Sequence, residues 1–334
     1  ARTRLSKLLN IPDKTLHFGP STSQNTYVLS QAFRKVDIGR NVIVVTNQDH
    51  EANSGSWRRL ELEGFIVREW KVDTKTGSLH KNDLINLMDD KVLLVTFPHC
   101  SNIVGEINPV QEICSLVSEY GAYTCVDGVS YAPHGFSDIK SLGADIYMFS
   151  SYKTYGPHLG LMYISSDLNV VLTNQGHYFN ERSATKRFTP AGPDHAQIAA
   201  SAGIVDYIDL LYEHHFDNLS DYKKVAFQVH EMQRKHEVKL LEPLLGYLKT
   251  KSKSNYSVIL TNSNKIKKEL SFEDFSILEQ LLNEHPRAVD FPSILNFFEP
   301  NLSYESRVKK LRLSISRIDK ILMTYTNSKT PILK

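Results

Sequence analysis

The chain alternates short apolar runs with segments whose apolar residues recur at helical spacing. Six apolar runs predict β-strands, and the first of them (NVIVVT) is apolar almost throughout, which is typical of a strand buried in a parallel sheet. The predicted strands span residues 41–46, 65–70, 91–97, 122–126, 146–149 and 161–164. Helical segments separate most of them. The pattern therefore indicates an α/β domain with a mostly parallel sheet flanked by helices.

Four polar residues each follow a predicted strand closely: His50, Asn102, Asp127 and Lys153. In open α/β sheets, ligands bind at the carboxyl ends of the strands, so these side chains are expected to converge on one pocket. A lysine that forms a Schiff base and a carboxylate that keeps a pyridine nitrogen protonated are what pyridoxal phosphate (PLP) requires. Taken alone, Asp127 and Lys153 are explained equally well by an ordinary ion pair at the rim of the sheet.

A candidate anion site lies further upstream. The segment HFGP at residues 17–20 predicts a turn, and the STSQ segment that follows has the form of a capping box at the start of a helix. Free N–H groups and the helix dipole at such a start favour a phosphate, and Thr22 and Ser23 add hydroxyl groups. Plain helix capping is the alternative, and it is the commoner explanation of an isolated capping box.

Composition excludes several classes of protein. The chain has 334 residues, of which 41% are hydrophobic, and this predicts two domains, residues 1–250 and 251–334. A net charge of +2 without a basic patch argues against nucleic acid as a partner. No apolar run approaches the roughly 18 residues of a membrane span. The three cysteines, Cys100, Cys114 and Cys125, predict a reducing compartment such as the cytoplasm, without disulfides. The histidines lack metal-ligand spacing, and no G-x-G-x-x-G segment suggests NAD.

With these residues in view, the chain resembles the fold-type I PLP enzymes of the class V aminotransferase group, in particular its cysteine desulfurase-like branch. The resemblance covers about residues 17–212 and rests on GPSTSQNTY, DHEAN with the Trp57 that follows it, HCSNIVGEINPV, VDGVSYAPH and FSSYKTYGPHLG. It implies a large PLP-binding domain and a small, divergent α+β domain, for which residues 257–260 and 311–315 are candidate strands. It also implies that the N-terminal part of the family fold is missing, so that the chain is a fragment or a trimmed product.

The resemblance implies a catalytic role for three residues. Lys153 would be the Schiff-base lysine, Asp127 would pair with the pyridine nitrogen, and His50 would stack on the ring of PLP. The other cofactor-binding residues that it implies are Thr22, Ser23, Asn102, Ser130, Ser150 and Tyr152. Asn102 would approach the phenolic oxygen. Arg312, in the segment LRLS, weakly matches the arginine that binds the substrate carboxylate in relatives.

Three positions depart from the family pattern. Tyr152 stands where most relatives have His, and Ser130 stands where they have Gln or His. At Ala191-Gly192 the Gly-Thr pair that reaches the partner subunit's phosphate in relatives is replaced. Desulfurases of this group also carry a mobile cysteine in the C-terminal half, whereas this chain has no cysteine after Cys125.

The expected function is PLP-dependent chemistry on an amino acid, by C–S lysis, transamination or epimerisation, in a homodimer. The alternative is a PLP-binding pseudoenzyme or a structural dimer. The intact pair of Lys153 and Asp127 favours catalysis. Two features favour the alternative: the N-terminal segment that helps to cover the substrate in relatives is missing, and Arg312 matches the substrate-binding arginine only weakly.

Overall fold

The computed structural model describes residues 1–36, 38–216, 222–261, 270–271, 274, 277–278 and 304–326. The chain divides into two compact units, Ala1–Lys235 and His236–Lys334. A helix, Tyr222–Thr261, runs through the domain boundary expected from the sequence at residues 250 and 251. That boundary stays a prediction.

The first unit is built on one mixed sheet of seven strands, in the order β1-β7-β6-β5-β4-β2-β3. The strands are β1 Leu16–Gly19, β2 Val42–Thr46, β3 Ile66–Trp70, β4 Val92–Pro98, β5 Tyr123–Asp127, β6 Ile146–Ser150 and β7 Gly160–Ile164. Strands β2 to β6 pair in parallel, whereas β7 pairs antiparallel with β1 and β6. The mostly parallel α/β sheet expected from the sequence is therefore confirmed.

Strand β1 corrects one expectation, because its residues were predicted as a turn. It pairs with β7 in a register that places His17 opposite Met162 and Gly19 opposite Gly160. Only four residues long, β1 carries little strand signal of its own, and the following Gly-Pro pair suggests a turn. Pairing with β7 decides its structure, which is the usual way that context overrides local preference in strands.

Helices cover both faces of the sheet. They are α1 Arg2–Leu8, α2 Thr22–Phe33, α3 Glu51–Arg58, α4 Lys81–Ile85, α5 Val110–Glu119, α6 Ile139–Leu142, α7 Ser166–Val171, α8 His195–Ala200 and α9 Gly203–His215. Helix α10, Tyr222–Thr261, begins in the first unit and continues into the second, which also contains α11, Tyr304–Thr326. Strand β2 shows why both faces are apolar. Val42 and Val44 belong to the apolar cluster that includes residues of α1, α5 and α9, whereas Ile43 and Val45 belong to the cluster that includes residues of α2 and α3, because successive side chains of a strand point to opposite faces.

The second unit contradicts the expected strands. Residues 257–260 lie within α10 and residues 311–315 lie within α11. Short apolar runs do not distinguish a strand from part of a helix, and here the helical period continues beyond the run. Within this unit Asp274 accepts two hydrogen bonds from the guanidinium of Arg317, both of 2.8 Å.

Candidate active site

A polar cavity of about 400 Å³ opens at the carboxyl ends of β2, β4, β5 and β6. It is lined by all nine residues for which the sequence predicts contact with a cofactor: Thr22, Ser23, His50, Asn102, Asp127, Ser130, Ser150, Tyr152 and Lys153. Parallel strands end at the same edge of a sheet, so residues far apart in sequence meet there. The structure thus brings these side chains together, while their individual roles stay predictions.

The start of α2 forms one end of the cavity. Ser21 caps this helix, and its Oγ accepts a hydrogen bond of 3.2 Å from the backbone N–H of Gln24. The hydroxyls of Thr22 and Ser150 lie 2.9 Å apart, and both residues are buried. Strand β7 passes so close that a Cβ at Gly160 would collide with the backbone of Ser21 and Thr22. Hydroxyls and helix-start amides in this arrangement suit a phosphate.

Asp127 supplies a buried carboxylate at the end of β5. Its side chain is only 4% exposed, and Oδ1 accepts a hydrogen bond of 2.8 Å from the backbone N–H of Val129. Burial raises the pKa of Asp127 to about 6, although that hydrogen bond and the interactions with His50 and Lys153 act in the opposite direction. A cationic group placed in the cavity would therefore favour the ionised carboxylate.

Lys153 lies in a short 3₁₀ turn, Ser151–Lys153, directly after β6. The hydroxyl of Thr154 donates a hydrogen bond of 2.9 Å to the carbonyl of Ser151, which closes the turn. Tyr152 stacks on His158 with ring centroids 4.6 Å apart and an interplanar angle of 9°. The ring that stands in place of the family's histidine is thus held against a second ring, and the adjacent lysine faces the cavity.

His50 is the N-cap of α3. Its Nδ1 accepts a hydrogen bond of 3.0 Å from the backbone N–H of Ala52. A ring nitrogen accepts a hydrogen bond only when it carries no proton, so the neutral ring has its proton on Nε2. The cap therefore fixes both the position and the tautomer of His50.

Asp49 lines the cavity as well, although the sequence analysis did not single it out. Its carboxylate accepts hydrogen bonds from the backbone N–H of His50 at 2.8 Å and from Nδ2 of Asn53 at 2.6 Å. Burial and the negative charge of Asp127 raise the pKa of Asp49 well above its usual value. The DHEAN segment contained the signal, because Asp49 directly precedes His50 and so reaches the same strand end.

Cys100 differs from the other two cysteines in its position. Cys114 and Cys125 are buried, but Cys100 is partly exposed and lines the cavity beside Asn102. Burial and the negative charge of Glu106 raise the pKa of the Cys100 thiol. A higher pKa leaves less of the nucleophilic thiolate at neutral pH.

Arg312 lies in α11 and not in the strand in which relatives place their carboxylate-binding arginine. Its side chain is outside the described residues, so its role in substrate binding stays a prediction. Within the described ranges, no cluster of His, Cys, Asp or Glu has the geometry of a metal site. Every helix in those ranges is too short or too polar to cross a membrane.

Comparison of the fold with solved structures defines the class of protein. A NifS-like protein superposes with a TM-score of 0.61 at 21% identity and covers 75% of this chain and 63% of its own. The cysteine desulfurase CsdA from Escherichia coli has a TM-score of 0.56 at 21% identity, with 65% of this chain and 56% of its own covered. The chain thus has the fold-type I architecture of these proteins.

The sequence defines the family. The pattern of the aminotransferase class-V family matches residues 1–271, and the chain belongs to this family. Similar curated proteins are the aminotransferase-like protein FGM3 of Gibberella zeae, 39% identical over 52% of this chain and 44% of FGM3, and the cysteine desulfurase of Yersinia pseudotuberculosis, 32% identical over 50% of this chain and 44% of that enzyme. The alignments span less than half the length of these relatives.

The residues that line the cavity fit PLP. Paired hydroxyls and helix-start amides suit the phosphate, the Asp127 carboxylate suits a protonated ring nitrogen, and the Lys153 amine suits the aldehyde. Ser130, which also lines the cavity, is shorter than the Gln or His that the resemblance leads one to expect there.

Proposed function

We propose that the chain binds PLP in this cavity and acts on an amino acid. The observation that carries the proposal is that Lys153 and Asp127, which come from two different strands, line one cavity with the hydroxyls of Thr22 and Ser150. A rim ion pair, the alternative open at the level of sequence, does not account for the hydroxyl pair or for the capped His50.

PLP, when bound, supplies an electron-accepting ring that stabilises negative charge on a carbon atom of the amino acid. The side chains of the protein would determine which bond reacts. The Lys153 amine would attach the cofactor, and after release it would carry protons to and from the substrate. C–S lysis, transamination and epimerisation all need these two functions, so the site supports the class of chemistry and not one reaction.

The other residues would orient the cofactor and exclude water from its ring. Asp127 would accept a hydrogen bond from the ring nitrogen and keep that nitrogen protonated. His50, fixed by its bond from Ala52, would cover one face of the ring and keep water from it. The start of α2 would hold the phosphate, so that the aldehyde end of the cofactor faces Lys153.

The test uses the full chain loaded with PLP. Reduction with borohydride should fix the cofactor to the protein, and peptide mass spectrometry should locate it on Lys153. Lys153→Ala should abolish this fixation, while the phosphate contacts through Thr22 and Ser150 still allow reversible binding. A cofactor fixed on another lysine, or fixed in Lys153→Ala, would show that the assignment is wrong.

The rival proposal is a protein that holds PLP without turning over a substrate. It draws support from α11, which places Arg312 in a helix. Screening amino acids against the loaded protein separates the two proposals. A substrate-dependent change in cofactor absorbance with formation of product supports the enzyme, whereas stable loading without product supports the rival.

We further propose that the chain functions as a homodimer. The loop around residues 190–193, which crosses to the partner subunit in relatives, lies in the same unit as the cavity. Isologous dimers are the commonest oligomers of soluble proteins. Sedimentation of the loaded protein should show a dimer, and a stable monomer with full PLP occupancy would contradict the proposal.

A further inference from the structure

Three aromatic rings form a cluster next to Asp127. His99, which directly follows β4, stacks on Tyr131 with ring centroids 3.6 Å apart and an interplanar angle of 11°. Its Nδ1 lies 2.8 Å from the hydroxyl of Tyr147 on β6, and the two rings meet edge-on with centroids 5.9 Å apart. We call these three residues the aromatic cluster. Tyr131 belongs to the turn at residues 127–131, so the cluster connects this turn to two neighbouring strands.

The start of the same turn also lies against the cluster. The backbone N–H of His99 donates a hydrogen bond of 2.8 Å to the carbonyl of Asp127. A Cβ at Gly128 would come within 2.3 Å of the Tyr147 ring, so the chain approaches this ring more closely than any other residue type would allow. The cluster therefore holds both ends of the turn, Asp127 and Gly128 at its start and Tyr131 at its end.

The aromatic cluster belongs to the interior and not to the wall of the candidate active site. His99 is 6% exposed and Tyr147 is 2% exposed. Among the described residues that line the cavity are Val129 and Ser130 of the turn, but none of the three rings. Burial lowers the pKa of His99 to about 4, so its ring is neutral at pH 7. The cluster thus acts on a ligand through the position of the turn and not through a charge.

The position of the turn matters because it determines where the Asp127 carboxylate lies. The hydrogen bond of 2.8 Å that orients this carboxylate comes from the backbone N–H of Val129, which belongs to the same turn. A charge-assisted hydrogen bond to a ligand needs a short distance and good alignment. A displacement of about 1 Å in an active site can cost roughly 10²-fold in rate. A displaced turn would move the carboxylate and its orienting partner together.

We propose that His99 and Tyr147 are positioning residues, whose hydrogen bond fixes the turn at residues 127–131 so that Asp127 meets the ring nitrogen of PLP. The proposal rests on the proposed function, because it assigns both residues to the cofactor site. A role in packing alone predicts that a weaker cluster affects all ligands of the cavity alike. A positioning role predicts that only ligands that use the Asp127 carboxylate lose affinity.

The test measures the affinity of the full chain for two compounds by calorimetric titration. One is PLP, and the other is its deaza analogue, in which a CH group replaces the ring nitrogen and offers Asp127 no N–H. Tyr147→Phe removes the hydroxyl and keeps the ring. Tyr163→Phe is the matched control, because Tyr163 lies opposite Tyr147 in the register of β6 and β7 and is not among the described residues that line the cavity.

Tyr147→Phe should weaken the binding of PLP by roughly 3- to 10-fold, the scale of one neutral hydrogen bond, and leave the affinity for the analogue unchanged. His99→Phe, which keeps a ring on Tyr131 but has no ring nitrogen, should show the same selectivity. In the Asp127→Asn background, Tyr147→Phe should cause no further loss, because residues that act through one another are not additive. Tyr163→Phe should bind both compounds like the unmodified protein.

Three outcomes would overturn the positioning role. The first is equal weakening of PLP and the analogue in Tyr147→Phe, which would indicate a general loss of packing. The second is an unchanged affinity of Tyr147→Phe for PLP. The third is an undiminished effect of this substitution in the Asp127→Asn background.

The cofactor-free protein supplies a readout that does not depend on PLP. Urea unfolding at pH 5 and pH 8, with and without Asp127→Asn, measures how much Asp127 contributes to the pH dependence of stability. This contribution should be smaller in Tyr147→Phe, because a turn that is held less firmly lets water reach the carboxylate, and an equal contribution would contradict the proposal. Failure of the proposed function looks different, since the unmodified protein would then bind neither PLP nor the analogue.

Discussion

The carboxylates in the candidate active site and Asp89 at the amino end of β4 have pKa values shifted in opposite directions. At the carboxyl end, Asp127 and Asp49 line the candidate active site and have raised pKa values, and neither forms a salt bridge within the described residues. At the amino end of β4, Asp89 accepts hydrogen bonds from Nη2 of Arg68 at 2.7 Å and from the backbone N–H of Lys91 at 2.9 Å. These contacts hold the pKa of Asp89 below its usual value.

The contrast shows which carboxylate remains available to pair with a charged ligand. A carboxylate that is paired inside the protein has its negative charge satisfied before anything binds. The buried carboxylate of Asp127 has one backbone partner and a pKa raised by loss of hydration. A protonated ring nitrogen beside it would restore the ionised form. The carboxylate of Asp127, which forms no salt bridge within the described residues, thus favours the PLP proposal over a rim ion pair.

The largest expected effect comes from removing the charge of Asp127. Asp127→Asn preserves the shape and still accepts the hydrogen bond from Val129, but it does not keep a ring nitrogen protonated. Turnover should fall by roughly 10²–10³-fold, the usual effect of losing one such charge-assisted contact in an active site. Steady-state kinetics at matched PLP occupancy measure this change. A turnover rate in Asp127→Asn equal to that of the unmodified protein would show that Asp127 has no part in the mechanism.

The same substitution should have the opposite effect on the cofactor-free protein. The pKa of Asp127 is about 6 in the folded chain, above that of an unfolded aspartate, so the folded state binds more protons between about pH 4 and 6. Stability is therefore lost as pH rises through this window. Above it, Asp127→Asn should be more stable by on the order of 2–3 kcal/mol. Urea unfolding at pH 5 and pH 8 tests this, and an equal or lower stability at pH 8 contradicts it.

Much of this site could be predicted from sequence. Asp127 and Lys153 follow apolar runs whose strand character is unambiguous, and parallel strands bring such residues to one edge. The capping box at Ser21 also forms as expected. Asp49 was missed because its importance depends on burial beside Asp127, and sequence spacing does not report burial. The place of Cys100 in the cavity depends on where the chain runs after Pro98, which sequence spacing does not report either.

The expectations that failed share a physical cause. Strand β1 depends on β7 for its structure, and the segments at 257–260 and 311–315 contain apolar runs too short to distinguish strand from helix. Asn25 lies in a helix expected from the sequence, yet only the structure shows that its Nδ2 is buried without a hydrogen-bond partner among the described residues. Local pattern predicts elements well, whereas the partners of a side chain depend on tertiary packing.

The Cys100 thiol in the cavity also has a raised pKa. A cysteine that accepts sulfur from the substrate must be a thiolate, but burial and the negative charge of Glu106 raise the pKa of this thiol. Treatment of the loaded protein with cysteine should therefore leave little or no protein persulfide, as measured by mass spectrometry, and Cys100→Ser should retain amino-acid binding. A stoichiometric persulfide that disappears in Cys100→Ser would show that Cys100 accepts sulfur.

The smallest expected effect lies at the opposite end of the strands. Asp89→Asn removes the exposed pair with Arg68, and pairs of this kind contribute little. Because the folded pKa of Asp89 is depressed, its contribution is present above the ordinary pKa of an aspartate and is lost as pH falls through the folded value. The Tm should therefore fall by no more than about 2–4 °C at pH 7 and remain unchanged at a pH below the folded value. Thermal melts at the two pH values, with Asp127→Asn as the matched variant, measure whether Asp89 and Asp127 respond with opposite signs. A rise in the Tm of Asp89→Asn at pH 7 would contradict the contrast, because it would show that the ionised Asp89 destabilises the fold, as is expected of the ionised Asp127.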